Sequence, residues 1–309
     1  MKRLGKGRWP DWLRTACGAF VLIGLGEVAA QEPKPPEMPP VELVRAAVRN
    51  EVAAANNAAV KHMFRSRKQT AKGSQTRLYV ETSSAMAGML IAINDQPLTP
   101  QQQQGETNHL AWLMGNPEQL HKKQAREKED ADRTLRIVKA LPDAFRYEYV
   151  GTENSGAGLG AEGAQLVRLK FTPNPGYSPP SHVEQVLAGM QGYLLIDTKS
   201  MRIARIDGTL FKDVSFGWGI IGRLDKGGHF RVQQADVGDG SWDITEMSLS
   251  LTGKILLFKT LSMVSDEVFR DFRRVPDDLT FEQGVKLLKA EQEKMGHDEH
   301  VDARKRVPP

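Results

Sequence analysis

The chain has 309 residues, with 42 Lys and Arg against 38 Asp and Glu and a formal net charge of +4. Part of that small excess lies at the start (Lys2, Arg3, Lys6, Arg8, Arg14) and in the tail around Arg304, Lys305 and Arg306, which leaves no strong basic field for nucleic acid. The single cysteine, Cys17, excludes a disulfide framework and a thiolate metal site from the rest of the chain.

The first thirty residues read as a secretory signal: a basic start, a short apolar stretch from Ala16 to Gly26, and small residues Val28-Ala29-Ala30 that place cleavage before Gln31. The apolar stretch is about half of the ~20 residues that a membrane span needs. Export to the periplasm or beyond is the expectation. Residues 31–40 (QEPKPPEMPP) read as a proline-rich, extended and disordered linker. Leu43, Val44, Ala47, Val48, Val52 and Ala55 then recur at helical spacing, the stripe of a helix laid over a sheet. Strand-like segments follow at 62–69 and 77–82. Residues 100–140 change character into a charged helical insertion, whose pairs Glu129–Arg133 and Asp132–Arg136 are spaced for ion pairs along a solvated helix.

Phe145, Tyr147 and Tyr149 share one face of the next predicted strand, and Val167, Leu169 and Phe171 share one face of its neighbour. A rigid proline loop, 171–181, precedes a short helix capped by Ser181. From Gly192 to Phe272 no helical period is present: YLLID (193–197), RIARIDGTLF (202–211), HFRVQQ (229–234), WDITEMSLSLT (242–252) and KILLFKTLSM (254–263) read as strands closed by turn residues, hence a curved antiparallel sheet built by successive hairpins. Residues 277–309 read as a C-terminal helix and a frayed tail.

Few motifs carry chemistry. Gly158, Gly160 and Gly163 match G-x-G-x-x-G, but a phosphate loop must open a helix, and Gln165–Phe171 reads as a strand, so a hairpin loop is the reading. His297 and His300 sit among Asp298, Glu299 and Asp302 in the tail, a weak pattern for a metal. Asp236 to Gly240 is an ordinary hairpin turn before it is a calcium loop. With no nucleophile elbow, H-E-x-x-H or nucleotide-cradling motif, no catalytic residue, metal or cofactor is assigned, and a non-enzyme is expected. The segment 214–222 (VSFGWGIIG) differs: bulky apolar residues among glycines read either as a buried strand with a bulge or as an apolar lip on a lipid-sized groove.

The segments LVRLKFTPNPGYSPPS (166–181), GMQGYLLIDTKSMRIARIDGTL (189–210), DVSFGWGIIGRLDKGGHF (213–230), GKILLFKT (253–260) and RTLRIVKALPDAFRYEY (133–149) are similar to a group of uncharacterised secreted bacterial proteins. The architecture resembles the LolA/LolB-like lipoprotein-carrier superfamily, over about 41–275. That resemblance implies an α+β, mainly β fold: a half-open barrel with helices over an apolar concave face that holds acyl chains. No family site transfers residue by residue. The ligand-binding candidates are Phe216, Trp218, Ile220, Leu224 and Phe230, with Tyr147 and Tyr149 on the opposite wall. The expected partner is a lipid or acylated protein. The alternative is an envelope interaction or sensor module that meets a membrane-protein partner through the 117–140 helix.

Overall fold

The chain divides into Met1–Lys34 and a compact unit, Pro35–Pro309. The computed structural model describes residues 38–57, 60–216, 222–238, 240–255 and 259–305. The expected signal, its cleavage site and most of the linker lie outside them.

Helix α1 (Pro40–Asn56) starts with proline at a position whose N–H has no helical partner, and it buries Leu43, Val44, Ala47 and Val48 of the predicted stripe, while Val52 is half-buried and Ala55 exposed. A meander follows: β1 (Lys61–Thr70), β2 (Gly73–Val80), β3 (Ala87–Ile93) and the two-residue β4 (Gln96–Pro97). Asn94 and Asp95, both with positive φ, make the tight β3–β4 turn. Thr99 and Gln102 form a reciprocal capping box at the start of α2 (Pro100–Gly115). Helix α3 (Pro117–Ala144) carries one of the two predicted i,i+4 pairs, Arg133–Glu129 at 2.9 Å; Asp132, expected to pair with Arg136, pairs instead with Lys128, and Lys122–Glu118 and Lys123–Glu127 add two more pairs at the same spacing.

The next hairpin is β5 (Phe145–Asn154) and β6 (Gln165–Pro173). Ser181 caps α4 (His182–Gln185) through the Val183 N–H, as its position predicted. Then come β7 (Met190–Asp197), β8 (Arg202–Leu210), β9 (Val214–Phe216), β10 (Gly222–Leu224), β11 (His229–Gly238), β12 (Ser241–Ile255), β13 (Lys259–Val275) and α5 (Phe281–Lys305). The strand expected at 254–263 is corrected. Lys254 and Ile255 finish β12 and Lys259 opens β13, so an apolar run that reads as one strand spans the two arms of a hairpin.

The strands lie in the order β4-β3-β2-β1-β13-β12-β11-β8-β7-β6-β5, with β9 and β10 pairing off the end of β12. Every named pairing is antiparallel, and β4 and β5 at the two ends do not meet, so the curved sheet is open. Three core clusters lie against it, a small one around Leu159, Ala164, Leu166, Leu195 and Ala204 and two larger ones. Of the larger two, the first joins α1 and the end of α3 to β5–β8, and the second joins α2 and α5 to β1–β3. Helix α1 is fixed to the first by Glu51, whose carboxylate takes Arg202 through two hydrogen bonds of 2.9 Å and the Ile203 N–H at 2.9 Å. Near the β4 end, carboxylates satisfy backbone donors of and beside β3: Glu106 takes the Leu90 N–H and Glu127 the Met86 N–H.

Candidate site: an apolar cavity on the inner face of the sheet

Residues directly opposite one another on adjacent antiparallel strands share a face. The registers therefore trace one row across the sheet: Tyr147, Phe171, Gly192, Gly208, Phe230 and Leu249. The bulky residues stand on either side of two opposed glycines. A Cβ at Gly208 would lie 2.3 Å from the Phe230 ring, so the missing side chain is what lets that ring lie across β8.

Over this row sits a cavity of about 250 Å³. Its floor comes from Phe145 and Tyr147 of β5, Phe171 of β6, Met190 and Leu194 of β7, Ile206 of β8, Phe230 of β11, and Leu249 and Leu251 of β12. Ile137 and Leu141 of α3, with Val186 and Leu187, close it from above. All of these side chains are apolar except the tyrosine. The Tyr147 hydroxyl is turned away to donate to the Leu141 carbonyl at 2.7 Å, and burial pushes its pKa well above the usual phenol range. The cavity thus offers a ligand neither charge nor an unsatisfied hydrogen-bonding group from its wall. Its size exceeds the ~150 Å³ of a dry cavity that holds benzene and falls just short of the ~300 Å³ at which drug-sized pockets begin.

Of the residues singled out in the sequence, Tyr147 and Phe230 line the cavity. Tyr149, two residues along the same face, packs beside it without lining it. Phe216 and Leu224 pack against the same core from the β9–β10 hairpin, where Gly222 faces Phe216 and Leu224 faces Val214. Trp218 and Ile220 lie outside the described residues. Sequence reasoning missed Phe171, Met190, Leu194 and Leu249, whose alternation is that of any buried strand. Only the opposed Gly192 and Gly208 distinguish this part of the sheet.

The Gly158–Gly163 stretch is a loop between two strands. Its three glycines have φ of +73°, +71° and +69°, and no helix follows. Buried Asp197 holds it by accepting the Ala161 N–H at 3.1 Å, while the Gly158 carbonyl accepts the Gln233 amide at 2.8 Å. Among the described residues, no group of three His, Cys, Asp or Glu is placed to hold a metal ion; the side chains of His297 and His300 are not among them.

A titratable cluster that the sequence did not reveal joins the two halves of the sheet. His62 of β1, 7% exposed, sits with Nδ1 3.8 Å from Glu81 and 4.0 Å from Asp243 of β12, with Phe272 edge-on to its ring. The Glu81 carboxylate also accepts the His62 N–H at 2.8 Å. Burial, aided by the Glu81 charge, pushes the Asp243 carboxyl up to about 6.

No family model matches the chain, and no curated protein does. Among solved structures, a DUF1329 family protein from Desulfovibrio piger ATCC 29098 aligns with 77% of this chain and 94% of its own, at 9% identity and a TM-score of 0.28. Similarity at that level carries no weight for fold or function, and the resemblance to lipoprotein carriers remains a resemblance.

Proposed function

We propose that the chain is a non-enzymatic binding or carrier protein of the bacterial envelope that shelters an acyl chain in the inner-face cavity. The observation that supports this reading is the cavity itself: a lining without charge, whose one polar side chain is already hydrogen-bonded to backbone. If each methylene occupies about the ~30 Å³ of a water molecule, about eight fit within 250 Å³. Burying eight at about 0.8 kcal/mol each gives about 6 kcal/mol before ordering costs. A longer chain gains more by lying along the apolar side chains that continue from Leu251 toward β10.

Native mass spectrometry of the protein purified from its host, with solvent extraction of whatever accompanies it, tests the reading. A stoichiometric lipid or acylated peptide is the expected result. An apo mass that also ignores added fatty acids and phospholipids overturns it, and turns attention to protein partners of α3.

A further inference from the structure

The far end of the β12–β13 hairpin carries features that the cavity does not use. The two strands pair without a break from Glu246 and Val268 to Ile255 and Lys259, and near that end the other edge of β12 is paired only by the three-residue β10. Following the cavity face outward, Leu251 is opposite Met263, and Gly253 is opposite both Leu261 and Leu224. Phe216 lies on the same face two residues farther along. This makes an apolar strip that leaves the cavity and runs toward the hairpin end. On it Met263 is 44% exposed; on the opposite face of the same strand Val264 is 47% exposed. Single exposed apolar residues need no explanation. Two in succession, on opposite faces, show that nothing in the described fold covers either face of β13 at this point.

The charges at this end have one sign to spare. Lys254 and Lys259 flank the strand ends, and Lys212 and Lys226 stand on the adjoining turns. None of the four ammonium groups has a carboxylate partner among the described residues: Asp213 and Asp225 are both taken by Arg223, at 3.5 and 2.9 Å, Asp213 also accepts the Lys226 backbone N–H at 2.8 Å, and the Lys212 ammonium lies 5.5 Å over the Phe211 ring. On α3, by contrast, Lys122, Lys123 and Lys128 are each paired with an acidic residue one turn away.

We propose that this end of the hairpin docks on the surface of an anionic lipid bilayer. The lysines engage headgroups, Met263 and Val264 enter the interface, and the apolar strip leads from the bilayer to the cavity. Long, unpaired lysines have no fixed geometry to offer a rigid protein partner, which would need about 800 Å² of matched surface. They suit a fluid, charged plane that attracts each of them separately. Docking does not require the cavity to hold an acyl chain, so it stands or falls apart from the function proposed above.

The test is co-sedimentation of residues 35–309, a unit that contains all three core clusters, with vesicles of phosphatidylcholine alone or with about one-third phosphatidylglycerol. Binding is expected only to the anionic vesicles, and it should weaken as salt rises. The K254Q/K259Q variant should lose about thirtyfold in vesicle affinity. A K72Q/K139Q control, with the same net charge change elsewhere, should bind like the parent. V264S should weaken binding without lowering the melting temperature. Equal binding to neutral and anionic vesicles, an unchanged K254Q/K259Q variant, or equal losses in both double variants would overturn the proposal. So would preferential capture by an acidic polypeptide over the vesicles.

Discussion

Leu249→Phe makes the cavity account quantitative. Leu249 is partly buried on β12, opposite Phe230, and its side chain reaches the cavity wall. An empty apolar cavity costs about 24 cal/mol per Å³, which for about 250 Å³ is at most about 6 kcal/mol. That agrees with the burial energy of the eight methylenes that would fill it. Phenylalanine at 249 is larger than leucine by about one methylene volume, and so removes about 0.8 kcal/mol of acyl burial. Affinity for a long-chain fatty acid, read by displacement of a fluorescent analogue, should fall about fourfold. Meanwhile the thermal midpoint of the ligand-free protein should hold or rise, because the ring fills space that is empty. If the space is instead packed core, over-packing lowers stability by about 1–3 kcal/mol, and the midpoint falls with it. That result, or unchanged fatty-acid affinity, refutes the reasoning.

Three other perturbations test particular contacts. Gly208→Ala places a Cβ against the Phe230 ring, at 2.3 Å in the present geometry; the ring must shift, so a urea melt should show a loss of about 1–3 kcal/mol together with weaker ligand binding. Glu51→Ala strands Arg202, whose side chain is 14% exposed, and removes the acceptor of the Ile203 N–H; chemical denaturation should show a loss of about 3 kcal/mol. For Asp243, the folded pKa of about 6 lies above the usual 3.8. The folded state therefore holds the proton more tightly, and stability falls as pH rises from about 4 through 6. Asp243→Asn keeps an oxygen for the Ile244 N–H, so the variant should be more stable than the parent near neutral pH, by about 1–2 kcal/mol after allowing for partial exposure, and equal to it near pH 4.

What the sequence made legible follows from period and punctuation. Alternation exposed the inner faces of β5 and β6, and helical spacing gave the buried side of α1. The curved antiparallel sheet followed from the density of short, turn-bounded segments, while its openness was implied only by the resemblance to lipoprotein carriers. β13 was obscured because its second half, SDEVFRDFRRV, places charges on both faces; it pairs on both sides, with β1 and β12, while much of it faces solvent. β3 and β4 were also missed, since AGMLIAI is apolar throughout and has no alternation to follow. Within the site, Tyr147 and Phe230 stood out as aromatic residues in strands. Phe171, Met190 and Leu194 look like core in any reading of the chain, and whether a core position is filled or faces a cavity depends on what the glycines opposite leave open. The His62–Glu81–Asp243 cluster could not be read from spacing at all. Beyond Glu246 and Val268, β12 stays with β11 while β13 goes on with β1, and only that divergence brings Asp243 to His62.

The central claim, that the inner-face cavity holds an acyl chain, is tested most directly by photo-cross-linking with a fatty acid carrying a diazirine at its distal carbon, followed by peptide mapping. Adducts are predicted on the peptides that contain Ile137 and Leu141, Val186 to Leu194, Phe230, and Leu249 to Leu251, and competition by unlabelled fatty acid should suppress them together. Adducts scattered over α2 and α5, or labelling that excess fatty acid does not suppress, would contradict the account.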